Sequence, residues 1–262
     1  MRRALVGYTG FVGSNLDRAG GFTHRYNSRN FREMACEHFD EIVCAGIQAM
    51  KWWANRNPAE DRAAIAALLG VLSETRADRF VLISTVDVYR DPDGVDEESP
   101  TPRDGLHPYG LHRLEVEEWV AARYPDRLVL RLPGLYGPGL KKNLIHDILT
   151  GGPLSGFDDR AAFQFYGLGQ LAPDMGRAAA AGLDLVNLAV EPVTVGAVVE
   201  RLTGAAFRNR PGGEPPRYAM RTRHADALRG RTGPWLETAA ESLDGLAAFA
   251  AAARTGDEGA RA

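Results

Sequence analysis

The sequence is poor in cysteine: Cys36 and Cys44 are the two in 262 residues, and they stand in no metal-ligand spacing. A disulfide framework and a thiolate metal site are therefore not expected, and no metal is predicted; a reducing, cytoplasmic location suits the chain. Long apolar runs are missing as well. Gly7 and Thr9 interrupt the stretch after the first basic residues before it reaches the length of a secretion signal, and no later segment reads as a membrane span. Nor is there an excess of positive charge: the formal net charge is -3, with Arg spread among Asp and Glu. Nucleic acid and an anionic membrane surface are thus not expected partners.

What is present suffices for one α/β core and a small added lobe. Short apolar runs at 4–7, 22–26, 41–45, 80–84, 128–132 and 185–188 predict strands. Helical patterns at 11–18, 58–75, 109–123 and 170–181 alternate with them, the order of a doubly wound parallel sheet. A polar, proline-rich loop spans 87–108, and two more helical patterns lie at 195–202 and 236–252. The expected division is a core over 1–136, rejoined at 163–190, and a substrate lobe from 137–162 and 191–253. Residues 254–262 read as a disordered tail.

Gly7, Gly10 and Gly13 fall at G-x-x-G-x-x-G spacing between the first strand and the first helix. The first glycine permits a tight turn, the second lets backbone N–H groups approach a pyrophosphate, and the third lets helix pack on strand. This is the signature of a Rossmann-type dinucleotide site. The second strand ends Arg25-Tyr26-Asn27-Ser28-Arg29-Asn30, without the carboxylate that would bind the ribose hydroxyls of NAD. Arg29, Ser28 and Arg25 instead suit a 2′-phosphate, so NADP is the preferred cofactor and NAD the alternative.

Further along stand Ser84-Thr85-Val86-Asp87-Val88-Tyr89, then Tyr109-Gly110-Leu111-His112-Arg113, Arg131-Leu132-Pro133-Gly134-Leu135-Tyr136-Gly137-Pro138-Gly139 and Val186-Asn187-Leu188-Ala189. In this order they resemble the extended short-chain dehydrogenase/reductase family, of the NAD-dependent epimerase/dehydratase type. The resemblance runs from residue 4 to about 205. It implies that Tyr109 is the catalytic acid/base, assisted by Thr85, with Arg113 where the family has lysine. A free phenol near pKa 10 is a poor base, so a cation one helical turn away is expected to favour the phenolate.

The resemblance also implies a cofactor cradle of Gly7, Thr9, Gly10, Phe11, Val12, Gly13, Asn27, Ser28, Arg29, Ala45, Gly46, Ser84, Tyr109, Arg113 and Pro133. Substrate contacts are expected from Asp87, Lys142, Asn143 and Arg221. Asp87 stands where the dehydratase branch carries a glutamate, but Val86 replaces the acid before it, which disfavours dehydration. The family's habit implies a homodimer. The expected function is NAD(P)-dependent reduction or epimerisation of a nucleotide-linked sugar. Two readings stay open beside it: a reductase of a non-sugar ketone, for which the short lobe is the motive, and a weakly catalytic NADP-binding regulator, for which Arg113 is. The segment Met50-Lys51-Trp52-Trp53 has no family counterpart and reads equally as a substrate frame or a hydrophobic plug.

Overall fold

The computed structural model describes residues 1–259, which divide into two units. The first comprises Met1–Asp91, Glu97–Leu132 and Ala172–Asn187. The second comprises Pro92–Asp96, Pro133–Leu171 and the chain from Leu188 onward.

In the first unit the elements follow as β1 (Arg3–Val6), α1 (Phe11–Ala19), β2 (His24–Tyr26), β3 (His38–Cys44), α2 (Lys51–Arg56), α3 (Pro58–Glu74), β4 (Arg76–Thr85), α4 (Pro108–Arg123) and β5 (Arg127–Leu132). They are completed by α6 (Leu171–Ala180) and β9 (Leu185–Asn187). Six parallel strands form one sheet in the order β2-β1-β3-β4-β5-β9, a Rossmann-type doubly wound sheet. Alternation along the strands sorts the two faces. Ala4, Val6, Ile42, Cys44, Phe80 and Leu82 pack with Ile65, Leu68 and Leu72 of α3 and Val116 and Val120 of α4. On the opposite face Arg3, Glu41 and Val81 line a cavity of about 260 Å³ with Leu16 of α1 and Met175 and Ala179 of α6.

Helix starts follow local chemistry. Pro58 and Pro108 open α3 and α4, where a missing N–H costs nothing, and Glu60 and Asp61 lie in the first turn of α3, where the helix dipole favours negative charge. The order β2-β1-β3 reverses the winding at β1, so the crevice for a ligand lies at the carboxyl ends of β1 and β3.

The second unit holds β6 (Gly134–Tyr136), α5 (Leu144–Thr150), β7 (Ala162–Phe163), β8 (Phe165–Gly167), β10 (Val193–Thr194), α7 (Val195–Thr203), α8 (Ala225–Arg229) and α9 (Ala239–Gly259). Strands β6 and β8 pair in parallel, and β7 and β10 antiparallel. Ile145, Val195, Val198 and Leu246 form its core. Its boundaries differ from the expected 136 and 163–190. Part of the long polar loop joins it because Gly94 and Arg221 N–H groups donate to Ala219 and Val95 carbonyls, at 3.0 and 2.7 Å. The last helix also runs through Gly259, past residue 254 where a disordered tail was expected, while 260–262 lie outside the described residues. Among the described residues no helix is long and apolar enough to cross a membrane.

A buried polar network ties the sheet to α4. Arg131 on β5 forms a two-pronged pair with Glu117, at 2.6 and 3.1 Å, and Ser84 donates to the same carboxylate. The Arg131 Nη1 donates to the Tyr89 hydroxyl at 2.6 Å, and Asn187 Nδ2 donates to it at 3.0 Å. Removing one partner of a buried ion pair strands the other charge. Glu117→Ala is therefore expected to lower stability by about 3–5 kcal/mol, read from urea unfolding.

Candidate active site

The turn between β1 and α1 is shaped by close backbone approach. Gly7 has φ +86°, and a Cβ there would lie 2.4 Å from the Ala45 carbonyl oxygen. A Cβ on Gly13 would lie 2.0 Å from the Gly7 carbonyl oxygen, so the helix can sit on the turn only with glycine there. Gly10 differs: it is exposed, and its one close neighbour is the Gly7 oxygen at 3.2 Å. It caps α1 without any side-chain hydrogen bond, and the first turn of α1 carries no acid. Thr9 is exposed and Phe11 and Val12 half-buried beside it.

The start of α4 is the opposite case. Pro108 has no N–H, the Tyr109 N–H donates to Asn55 Oδ1 at 2.9 Å, and the Gly110 N–H donates to His107 Nδ1 at 3.0 Å. The donors at the start of α4 are satisfied by the chain itself, whereas no side chain caps those of α1. A pyrophosphate therefore fits at α1.

At the end of β2, Asn27 holds its own turn: its Oδ1 accepts the Arg29 N–H at 2.8 Å and its Nδ2 donates to the Tyr8 hydroxyl at 3.3 Å. Arg25 is paired with Asp17 at 2.6 Å, which removes it from the candidates for a 2′-phosphate. Ser28 and Arg29 are exposed on the turn.

The peptide after β3 links this turn to α4. The Ala45 N–H donates to the Val6 carbonyl at 2.9 Å, and Gly46 packs so closely that a Cβ would meet Val6 at 2.8 Å. Three residues on, the Gln48 carbonyl accepts from Arg113 Nη2 at 2.5 Å. Arg113 is 4% exposed and lies over the Tyr109 ring, 4.0 Å from its centroid. Its fork grips Asp61 of α3 at 2.5 and 2.8 Å, and His112 Nδ1 donates to the same carboxylate at 2.7 Å. The Arg113 Nε is buried without a partner.

Tyr109 is 7% exposed, with the Thr85 hydroxyl close enough to favour its ionised form. Thr85 Oγ1 also accepts the Asp87 N–H at 3.2 Å, which sets its rotamer. Burial pushes the phenol above its ordinary value, against the opposing pull of Arg113. Asp87 adds to the rise, while Thr85 and Lys51 oppose it. The cation does favour the phenolate, as expected, but burial outweighs it, and Tyr109 keeps its proton through neutral pH.

Of the predicted residues, Tyr109, Thr85, Arg113 and Asp87 come together. Ser84 turns away, its hydroxyl donating to Glu117. In the second unit Asn143 is engaged in structure: its Oδ1 accepts the Ile145 and His146 N–H groups and its Nδ2 donates to the Leu135 carbonyl at 2.9 Å. Lys142 and Arg221 are exposed there, and Pro133 opens the second stretch of that unit. Sequence reasoning missed Asn55, Asp61, His107 and Gly110. Asp61 followed Pro58 as an ordinary first-turn acid, and only the packing of α4 shows it to be buried. Trp52 is exposed, so it plugs nothing.

A parallel sheet with a glycine turn at its carboxyl edge and a buried tyrosine beside it defines a Rossmann-type protein of the dinucleotide-binding class. Residues 23–152 match the model of the NAD dependent epimerase/dehydratase family. No curated protein matches the sequence significantly. Solved structures share the fold. An NAD dependent NDP-hexosamine 5,6-dehydratase, TunA, superposes with TM-score 0.74 and 17% identity, over 97% of this chain and 98% of that one. UDP-glucuronic acid 4-epimerase from Bacillus cereus, bound to a fluorinated UDP-glucuronic acid and NAD, gives 0.70 and 17%, over 95% and 98%. RMD from Pseudomonas aeruginosa, complexed with NADPH, gives 0.72 and 20%, over 95% and 99%.

Burial alone would raise the Asp61 carboxyl, but hydrogen bonds from Arg113 and His112 outweigh it and hold the carboxyl below the usual range. A lowered carboxylate contributes stability above its ordinary value and loses it as pH falls through the lowered one. Asp61→Asn should therefore cost about 3–5 kcal/mol at neutral pH. Thermal melts over a pH series should show the gap to wild type closing in acid.

Proposed function

We propose that the protein is a nicotinamide-dependent oxidoreductase or epimerase acting on a nucleotide-linked sugar, with Tyr109 as its proton-transfer residue. One observation carries this reading: a buried phenol with the Thr85 side chain beside it, at the same sheet edge as an uncapped, glycine-shaped helix start. The residues present fit a dinucleotide. Gly10 leaves open approach to the N–H groups of α1, and the unpartnered Arg113 Nε is a donor beside Tyr109. Bound there, the nicotinamide supplies or accepts the hydride.

The chain's own residues handle the proton. Thr85 orients the reacting oxygen against the phenol, and Tyr109 gives its proton to that oxygen in reduction or takes one in oxidation. Arg113, with both Nη atoms committed, keeps positive charge against the ring face, where it opposes the cost of ionising a buried phenol. Asp87 lacks the second acid that removal of water would need, so reduction or epimerisation is favoured over dehydration. The nucleotide sugar is supported by the family and by the UDP-sugar and NDP-sugar enzymes that share the fold. Exposed Arg29, with no ion pair to a carboxylate among the described residues, and the absence of an acid at the end of β2 support NADP over NAD.

Tyr109→Phe should cut kcat by about 10²–10⁴-fold and leave the nicotinamide Kd unchanged. Thermal shift with UDP, dTDP and GDP tests the sugar carrier: stabilisation by one of them is expected, and silence from all three ends the nucleotide-sugar reading. For the cofactor, Arg29→Ala should weaken NADPH about tenfold, as loss of a charge-assisted contact does, and leave NADH unaffected in fluorescence titration.

A further inference from the structure

We infer that Lys51 is a positioning residue for Tyr109, acting through Asp87: the ammonium on α2 clamps the Asp87 carboxylate and so keeps an uncompensated negative charge away from the phenol. The inference rests on the reading of Tyr109 as the proton-transfer residue.

Four contacts carry it. Asp87 lies against the very turn that bears Tyr109, since a Cβ on Gly110 would be 2.1 Å from the Asp87 carbonyl oxygen. Its N–H donates to Thr85, whose side chain stands beside that of Tyr109. Its carboxylate, largely buried, receives Lys51 Nζ at 2.7 Å. Lys51 comes from a helix that also touches Tyr109 directly, through Asn55 and the Tyr109 N–H.

The charges facing this carboxylate are Lys51 from α2, and His107, Tyr109 and Arg113 from α4 and its cap. His107 Nε2 is 3.9 Å from Asp87 Oδ1, and burial and then Lys51 push that imidazole below its ordinary value, so it is neutral at neutral pH. Arg113 is gripped in two-pronged fashion by Asp61. Lys51 therefore carries the compensation of Asp87. Without it, a carboxylate of low exposure would stand beside a phenol that must become an anion when it gives up its proton, and like charges at close range disfavour that ionisation.

The test follows the Tyr109 ionisation itself, by Cζ-labelled tyrosine NMR over a pH series with Tyr109→Phe for assignment, beside the pH profile of kcat. Lys51→Met should leave about tenfold less Tyr109 phenolate at a given alkaline pH, and Asp87→Asn should leave more. Lys51→Arg should retain the wild-type titration, and Lys51→Met with Asp87→Asn should return close to it. An unchanged titration in Lys51→Met overturns the inference, as does a double variant that titrates like Lys51→Met alone, since the lysine would then not act through Asp87. If the titration moves as described while no substrate turns over in the wild type, the inference stands and the oxidoreductase reading falls. If wild type turns over and the titration does not move, the reverse holds.

Discussion

The site depends on one buried carboxylate. Asp61 gathers the Arg113 fork and His112, and through Arg113 it reaches both the Gln48 carbonyl after β3 and the Tyr109 ring. Three elements are thus held in register by one group: α3 that bears the acid, α4 that bears the tyrosine, and the peptide that leads back to Gly46 and Gly7. A buried guanidinium without Asp61 would be untenable, because an isolated buried charge costs several kcal/mol even after relaxation. A lysine at 113 would bring one compact charge, with no planar fork to hold Asp61 at two points while bonding a carbonyl and covering a ring. The arginine and the aspartate are one solution, and neither is intelligible alone.

That solution sets the electrostatics of Tyr109. Arg113 stands over the ring face with its charge largely balanced by Asp61, so it moderates the effect of burial without overcoming it. The phenol rests protonated, and its readiness to ionise is left to groups nearer the solvent. Lys51 and Asp87 are such groups, and both belong to segments, α2 and the turn after β4, that the regular sheet does not dictate.

The sheet was legible because its strands are buried on both faces and read as apolar runs between glycines and helical patterns. The strand starts were not. β3 and β4 begin at His38 and Arg76, earlier than the apolar runs, because backbone pairing extends through polar residues at the entry edge. The glycine turn was readable since only glycine satisfies the 2.0 and 2.4 Å approaches found at Gly13 and Gly7. The partners of Tyr109 were less so: Thr85 came from a motif, whereas Asn55, Asp61 and Lys51 are more than 20 residues away from any motif residue of α4 and meet it only through packing. The strands of the second unit, at two or three residues, are too short for periodicity to register.

Three motifs that are weak singly turn out to share one network, and this explains why they occur together. Tyr89 closes the first, Arg131 stands in the second and Asn187 in the third, and the hydroxyl of Tyr89 is bonded by both of the others. The Asn187 N–H in turn donates to Glu97 at 2.8 Å, and Arg131 is balanced by Glu117. Each buried polar group is there to satisfy another, so replacing any one leaves its neighbours short of a partner in a medium where that is costly. Ser84 on β4 points into this network, toward Glu117 of α4, and Thr85, the next residue of an extended strand, points the other way. The alternation of a single strand therefore commits one hydroxyl to holding the sheet together and leaves its neighbour out of that network.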